Sequence, residues 1–220
     1  MKVTALISAY EADEFLRHKI LNIQESSIPV DIIVVETGTK LAKFDRKSIY
    51  RYILCPKKIT LYAAINIAIK LSRTPYVVMA NCDDLVHPEA YEKQLAALES
   101  GADISYFDYG IVGGYKQTWD SAKNHIYSKW ITPDDGFSQG KTLGPFPMWR
   151  KSLHDEVGLF DENLRVCGDA VFWQELVNAG TKFARVPEIL GAYAQRRGHN
   201  LECRELKHDQ KYLRQKRALS

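Results

Sequence analysis

The sequence predicts an α/β fold with a mainly parallel central sheet flanked by helices. Short apolar runs alternate with segments in which apolar residues recur at helical spacing. Strands buried on both faces produce such uninterrupted apolar runs, and helices between them connect strands that run parallel. The length of 220 residues, with 45% hydrophobic and 26% charged side chains, is typical of a globular chain built around one domain.

Four apolar runs in the first third of the chain are predicted strands. Helical spacing of apolar residues is found at 15–23 and again at 61–72. Ligands of such sheets bind beyond the carboxyl ends of the strands, so we expect the site at that edge. The predicted strands cover residues 3–8, 31–36, 50–55 and 76–80.

The second half of the chain is less regular. A helix is predicted from His87 to about Glu99, and residues 110–147 are expected to form long loops with short strands. Loops of this length in a compact domain are often functional. The other predicted elements are strands at 103–109, 183–186 and 187–194 and helices at 170–179 and 201–220.

Composition excludes several classes of protein. The four cysteines are far apart and form no zinc-type or disulfide-framework spacing, so we expect reduced thiols. The first apolar run is too short for a signal peptide, and no run approaches the ~20 residues of a membrane span. These features predict a soluble, cytoplasmic protein, and a peripheral position at a membrane stays open.

Polar side chains follow the fourth predicted strand directly, in the cluster Asn81-Cys82-Asp83-Asp84. Closely spaced oxygen ligands suit a hard divalent ion such as Mg²⁺ or Mn²⁺. Such an ion can bridge diphosphate oxygens and stabilise a departing nucleotide. An alternative is an Asx turn that caps the helix beginning near His87.

Several short motifs occur in a characteristic order. The first four are Ala9-Tyr10-Glu11, Glu36-Thr37-Gly38-Thr39, Asn66 within a helix, and Asn81-Cys82-Asp83-Asp84. The later ones are 147–153 followed by 157–162, then 168–173, then 186–190 with Tyr193, and finally His199-Asn200. This order resembles that of the family 2 glycosyltransferases, which have the Rossmann-like GT-A fold. The resemblance covers residues 3 to 200.

The resemblance implies a nucleotide-sugar donor, with a UDP-sugar as the default. Glu36 and Thr37 stand where the family has two aspartates, so guanine and thymine bases also stay open. A simple tight turn is the alternative for this segment. The donor-binding residues implied are Ala9, Tyr10, Glu11, Glu36, Thr37, Asn66, Asn81, Asp84 and Arg196.

The resemblance also implies a divalent metal, Mn²⁺ or Mg²⁺. Asp83 is the best candidate ligand, and His199 is a possible further one, with a surface histidine as the alternative. Asn81 replaces the family's first aspartate, which lowers the negative charge of the site. Asp84 is expected to reach the ion through water or to orient the sugar.

Asp169 is the implied catalytic base. Direct displacement at an anomeric carbon needs a base that deprotonates the acceptor hydroxyl, and a single base opposite the leaving diphosphate implies inversion. A helix N-cap is the alternative role for this carboxylate. Trp149 and Trp173 are expected either to face the acceptor or to lie in the core.

The chain divides, on this interpretation, into a glycosyltransferase domain at 1–200 and a basic C-terminal helix or tail at 201–220. The domain would comprise a nucleotide-binding half, 1–109, and an acceptor and catalytic half, 110–200. Basic residues exceed acidic ones by five between Arg196 and Arg217. This excess suits a solvated helix, diphosphate contacts, an anionic membrane surface or a nucleic-acid acceptor.

The acceptor itself is open: a saccharide, a lipid-linked glycan, a protein or a modified nucleic-acid base. Two other functions compete with sugar transfer. A nucleotidyltransferase would normally have a Gly-rich loop with a basic residue after the first strand, and the residues after Ser8 lack one. A non-catalytic nucleotide-sugar-binding module would be consistent with the replacements at Thr37 and Asn81.

Overall fold

The computed structural model describes residues 1–138, 141–195 and 200–218. The strands of the described residues are β1 (Val3–Tyr10), β2 (Val30–Thr37), β3 (Arg51–Cys55), β4 (Tyr76–Met79), β5 (Leu85–Val86), β6 (Ile104–Gly113), β7 (Ile126–Trp130), β8 (Phe137–Ser138), β9 (Lys141–Thr142), β10 (Met148–Arg150) and β11 (Phe183–Gln195). The helices are α1 (Asp13–Gln24), α2 (Leu61–Leu71), α3 (Ala90–Glu99), α4 (Trp119–Lys123), α5 (Leu153–Val157), α6 (Gly168–Asn178) and α7 (Asn200–Ala218).

One mixed sheet organises the chain. Its strand order is β3-β2-β1-β4-β10-β6-β11-β5, and β7 pairs with β6 outside this path. The first four strands of the path run parallel, as do β6 and β11. Strand β10 is antiparallel to both of its neighbours. The predicted mainly parallel sheet is therefore confirmed, with antiparallel pairing added in the second half.

Helices cover both faces of this sheet. On one face, α1 and α3 enclose a core cluster that includes Leu16, Ile20 and Leu98. On the other face, α2 and α6 enclose a second core cluster that includes Ile65 and Phe172. Burial on both sides explains why β1 and β2 are almost uninterrupted apolar runs in the sequence.

Three features of the fold differ from the sequence prediction. The proposed division after residue 109 falls inside β6, which continues to Gly113. The two strands predicted at 183–194 are one strand, β11, whose register against β6 shifts on either side of Ile189. The short β10 was not predicted, because its three residues are inserted between β4 and β6 by tertiary pairing alone.

The C-terminal helix α7 packs against the body of the protein. Tyr212 and Leu213 contact the core cluster formed with α2 and α6, and Asp209 is fully buried. Of the alternatives for this helix, a fully solvated one does not apply to the face that carries Asp209, Tyr212 and Leu213. None of the helices in the described part of the chain is both long and apolar enough to span a bilayer.

Candidate active site

A cavity of about 300 Å³ opens beyond the carboxyl ends of β1 and β4. This is the edge at which ligands of parallel sheets bind. One wall comes from the turn after β1 and the other from the polar cluster after β4. The described lining residues are Ser8, Tyr10, Glu11, Ala12, Phe15, Leu61, Asn81, Cys82 and Asp83.

The turn after β1 has an unusual backbone. Glu11 has a φ of 48°, in the left-handed region that side chains other than glycine rarely adopt. Such conformations persist only where surrounding structure enforces them, and they concentrate at ligand sites. The Tyr10 ring is partly exposed beside this turn, and the Lys58 ammonium lies 4.0 Å from the ring centroid. Aromatic surface and positive charge therefore adjoin at one side of the cavity.

The two aspartates after β4 have different environments. Asp83 is partly exposed and lines the cavity. Asp84 is 1% exposed, and its carboxylate accepts hydrogen bonds from the Asn81 amide at 3.0 Å and from the Ala194 N–H at 3.1 Å. Burial and the neighbouring charge of Asp83 raise the pKa of Asp84. Asp84 therefore ties β11 to this turn, and its expected role, to reach the ion through water or to orient the sugar, stays a prediction.

A buried lysine lies beneath the same turn. Lys19 of α1 is 1% exposed and donates to the backbone carbonyl of Asp84 at 3.1 Å. Burial lowers the pKa of Lys19, and the carboxylates of Asp84 and Asp83 oppose this effect.

The polar cluster after β4 does not cap the next helix, which was the alternative to a metal site. Helix α3 begins only at Ala90, and its N-cap is Glu89.

The donor set at the cavity fits a shared metal rather than a site made only of protein ligands. Among residues 1–138, 141–195 and 200–218, no three His, Cys, Asp or Glu side chains group closely enough to hold an ion. Magnesium is commonly held by one or two carboxylates together with substrate phosphates. Asp83 supplies one such carboxylate, and Asn81 adds an amide to the same wall. The predicted ligand His199 and the predicted donor contact Arg196 lie outside the described residues.

Asp169 lies in the first turn of α6. The Tyr62 hydroxyl lies 3.0 Å from its Oδ1, and the N–H of Ala170 donates to the same oxygen at 2.8 Å. Burial raises the pKa of Asp169, and these hydrogen bonds only partly offset the effect. The N-cap of α6 is Cys167, so the alternative of Asp169 as an N-cap is wrong.

Asp169 and the cavity are linked through α2. Leu61 lines the cavity, and the next residue, Tyr62, contacts Asp169. Leu61 also lines a second cavity of about 620 Å³, together with Lys58, Ile59, Thr60, Arg165 and Glu205. The two cavities therefore share Leu61 at the start of α2, next to the tyrosine that contacts Asp169.

Glu36 and Thr37 are not available to a nucleotide base in this structure. Glu36 is fully buried, and its two carboxylate oxygens accept from the Ala42 N–H at 2.7 Å and from the Tyr52 hydroxyl. Thr37 is 2% exposed. The predicted base contacts are thus replaced by a structural role, in which Glu36 holds the segment after β2 against β3.

Asn66 and Ala9 are also structural. The Asn66 side chain accepts from the N–H of Phe160 at 3.1 Å and donates to its carbonyl at 2.9 Å and to Glu162 at 3.0 Å. This bracket joins α2 to the segment after α5. The Ala9 side chain is 1% exposed within the core. Neither residue is among the described lining residues of the cavity, and their donor contacts stay predictions.

Trp149 and Trp173 belong to the core and not to an acceptor surface. They are 0% and 1% exposed, and their rings pack edge to face with centroids 5.3 Å apart. The Trp149 indole N–H donates to His154 at 2.9 Å. Of the two expected positions, the burial of these residues supports the core, because each ring is covered by other aromatic side chains.

Several cavity residues were missed by the sequence prediction. Ser8 could have been found, because side chains two apart on a strand share a face, and Tyr10 was already assigned to the site. Leu61 and Tyr62 have no polar motif around them, and only the packing of α2 brings them here. The missed lining residues are Ser8, Ala12, Phe15, Leu61 and Cys82.

Comparison with known proteins agrees with this architecture. The model of a family described as Glycosyl transferase family 2 matches residues 4–158, more than half of the chain. No curated protein sequence gave a significant match.

Solved structures share the fold at low sequence identity. TarS residues 1–349 of S. aureus in complex with UDP-GlcNAc superimposes with a TM-score of 0.70 at 14% identity, covering 92% of this chain and 61% of that one. The same TarS segment in complex with UDP gives 0.67 at 13%, covering 89% and 61%. The mannosyltransferase PcManGT from Pyrobaculum calidifontis, in complex with GDP-Man and Mn²⁺, gives 0.67 at 13%, covering 97% and 64%. This chain spans less than two thirds of each of these chains.

Proposed function

Because the chain belongs to glycosyl transferase family 2, we propose that it transfers a sugar from a nucleoside diphosphate donor to an acceptor hydroxyl, with inversion at the anomeric carbon. The observation that carries this proposal is the cavity at the ends of β1 and β4, which joins Tyr10 to Asp83. An aromatic ring and a carboxylate on facing walls suit a nucleotide whose diphosphate is bound with a cation.

The donor is proposed to be a UDP-sugar. Uridine is the family default, and TarS has been crystallised with UDP and UDP-GlcNAc. GDP-sugars are the second candidate, since PcManGT was solved with GDP-Man. Because Glu36 is enclosed by Ala42 and Tyr52, we expect the exposed Tyr10 ring and the turn around Glu11 to select the base.

Asp83 would hold a divalent metal together with the diphosphate oxygens. When bound there, the metal supplies positive charge that stabilises the departing nucleoside diphosphate. Asn81 contributes no charge to this set, and the Lys19 ammonium lies below the turn rather than in the cavity. We therefore expect Asp83 to carry most of the protein's share of metal binding.

Asp169 is the proposed general base. The acceptor oxygen forms a bond to the anomeric carbon, the bond from that carbon to the diphosphate oxygen breaks with its electron pair, and the acceptor proton passes to the Asp169 carboxylate. A carboxyl whose pKa lies above its ordinary value is a stronger base than a solvated aspartate. The Tyr62 hydroxyl fixes its orientation.

A titration of nucleoside diphosphates tests this proposal. UDP, GDP and dTDP are titrated by calorimetry with and without Mn²⁺ into the wild type, Asp83→Asn and the control Asp31→Asn. Asp31 lies near the start of β2, at the opposite end of the sheet from the cavity. We expect Mn²⁺ to strengthen binding of UDP in the wild type and in Asp31→Asn, and not in Asp83→Asn.

Equal Mn²⁺ dependence in all three proteins would contradict the role of Asp83. Donor hydrolysis and transfer are then measured with the nucleotide sugar that binds best. Binding without any hydrolysis or transfer to a panel of hydroxyl acceptors would favour a non-catalytic binding module instead.

A further inference from the structure

Asp209 of α7 is buried against three consecutive backbone N–H groups. Its carboxylate accepts from Arg165 at 3.0 Å, from Val166 at 2.8 Å and from Cys167 at 3.1 Å. Burial alone would raise the pKa of Asp209, but these hydrogen bonds and one from His208 bring it below the ordinary value. The side chain is therefore ionised at neutral pH and holds the loop 165–167 by charge-assisted hydrogen bonds.

The same face of α7 makes further contacts with the loop that precedes α6. Residues 205, 209, 212 and 216 recur at intervals of three and four, so they lie on one face of the helix. Glu205 pairs with the Arg165 guanidinium at 2.8 Å. Tyr212 and Lys216 both donate to Asp161, at 2.9 and 3.0 Å. The helix thus holds the loop 161–167 at both ends.

This loop leads directly to Asp169. The Tyr62 hydroxyl lies 2.7 Å from the carbonyl oxygen of Val166 and 3.0 Å from Oδ1 of Asp169. A shift of Val166 would therefore move or release the tyrosine that orients the carboxylate. Asp209, Val166, Tyr62 and Asp169 form one connected chain of hydrogen bonds.

We propose that Asp209 is a positioning residue for the reaction, which fixes the loop 165–167 and through it the geometry of Tyr62 and Asp169. On this proposal, the basic C-terminal helix α7 contributes to catalysis by holding the loop that precedes Asp169. This inference rests on the proposed function, because it takes Asp169 as the base. Without the carboxylate, three N–H groups lose their acceptor and the loop relaxes.

A purely structural role for Asp209 predicts different measurements. A structural residue changes stability and affects donor binding and turnover together. A positioning residue changes turnover and the environment of Asp169 while donor binding is kept, because none of the described lining residues of the donor cavity belongs to the loop 165–167. Two measurements separate these roles: the split between kcat and nucleotide affinity, and the pKa of Asp169 itself.

The test compares Asp209→Asn with Glu205→Gln. Glu205 is a matched control on the same face of α7, because it accepts from the Arg165 guanidinium rather than from the loop backbone, in a partly exposed pair of a kind that contributes little stability. In Asp209→Asn we expect kcat to fall by about 10²-fold, the loss that a displacement of about 1 Å can cause, with the affinity for the nucleoside diphosphate kept. In Glu205→Gln we expect both to stay near the wild-type values.

The pKa of Asp169 is followed by carbon-13 NMR of its carboxyl group in the protein without substrate. Tyr62 of α2 and the Cys167 thiol on its own segment are the titratable groups found close to it in the described residues. We expect the pKa in Asp209→Asn to fall toward the ordinary value, because water admitted by a relaxed loop removes the effect of burial, which is larger than the opposing effect of the Tyr62 hydrogen bond. Glu205→Gln should leave it in place.

Two results overturn the inference: an unchanged kcat with an unmoved pKa of Asp169, or a joint loss of turnover, donor binding and thermal stability. If Asp209→Asn does not fold, Asp209→Glu, which keeps the charge on a longer side chain, is measured instead. Failure of both to fold overturns positioning in favour of a general folding role. A wild-type protein that binds donors but transfers no sugar would contradict the proposed function. The NMR titration of Asp169 needs no turnover, so it tests the role of Asp209 independently of that function.

Discussion

The Tyr62 hydroxyl lies 3.0 Å from Oδ1 of Asp169 and 2.7 Å from the carbonyl oxygen of Val166, so its one proton is shared between the proposed base and the loop before α6. Burial and the nearby carboxylate raise the pKa of Tyr62, and the hydroxyl keeps its proton throughout the usual assay range. It therefore acts as a hydrogen-bond donor to Asp169 at every pH at which activity is measured.

Removing this donor should shift the acid side of the pH profile. The hydrogen bond from Tyr62 lowers the pKa of Asp169, while burial raises it. In Tyr62→Phe we expect a higher pKa for Asp169, so the base is protonated to higher pH and kcat/KM falls off earlier on acidification. Tyr91→Phe is the control, because its buried hydroxyl has no hydrogen-bond partner in the described part of the chain. If kcat/KM falls at the same acidic pH in both variants, Tyr62 does not influence the pKa of the base.

Gly168 is required by the close approach of the Tyr62 ring. A Cβ at this position would lie 2.5 Å from Cε2 of Tyr62, a distance that forces the ring to move. We expect Gly168→Ala to lower stability by about 1–3 kcal/mol, as overpacking does, and to reduce kcat more than it reduces donor affinity. Gly113→Ala is the control, since its Cβ would meet only Tyr127, at 3.9 Å. Thermal melts and steady-state kinetics that match the wild type in both variants would contradict this steric argument.

Asp84 should matter for stability rather than for binding. Replacing it by alanine leaves the Ala194 N–H and the Asn81 amide without their acceptor. We expect a loss of about 1–3 kcal/mol in the free energy of unfolding, measured by urea denaturation, and a weaker effect on Mn²⁺-dependent nucleotide affinity than in Asp83→Asn. Stronger loss of metal-dependent binding in Asp84→Ala would mean that the two aspartates exchange roles.

The core position of Trp173 makes a further prediction. Removing a buried tryptophan ring costs about 3–5 kcal/mol, so Trp173→Ala should lower the melting temperature strongly, whereas Trp173→Phe keeps most of the aromatic packing with Trp149 and Phe172. Transfer assays on the folded Trp173→Phe variant should show an acceptor KM close to that of the wild type. A raised acceptor KM in Trp173→Phe at an unchanged melting temperature would mean that Trp173 contacts the acceptor.

Much of the fold could be predicted because its signal is local. Strands β1 and β4 are apolar runs that end in polar residues, and the strand-end rule alone places Tyr10 and Asp83 at one cavity. The sequence could not tell which of Asp83 and Asp84 faces that cavity, since the Asp84 side chain is held away from it by hydrogen bonds from Ala194 of β11 and from Asn81. Glu36 shows the same difficulty, because its buried partners come from the segment after β2 and from β3.

The role of α7 was beyond the reach of sequence patterns for a different reason. A carboxylate within a basic helix is typical of a solvated face. The partners of Asp209 are backbone N–H groups of residues 165–167. Almost every residue has such a group, so the residue types at these positions do not reveal the contact. Only the docking of the helix reveals them.

The most direct test of the account is single-turnover transfer and donor binding in Asp169→Asn. The substitution keeps the shape of the side chain and removes its ability to take the acceptor proton. The account predicts that the variant binds the nucleotide sugar with the affinity of the wild type and that the transfer rate falls by at least about 10²-fold, the lower range for a general base. Transfer at the wild-type rate in Asp169→Asn would contradict it.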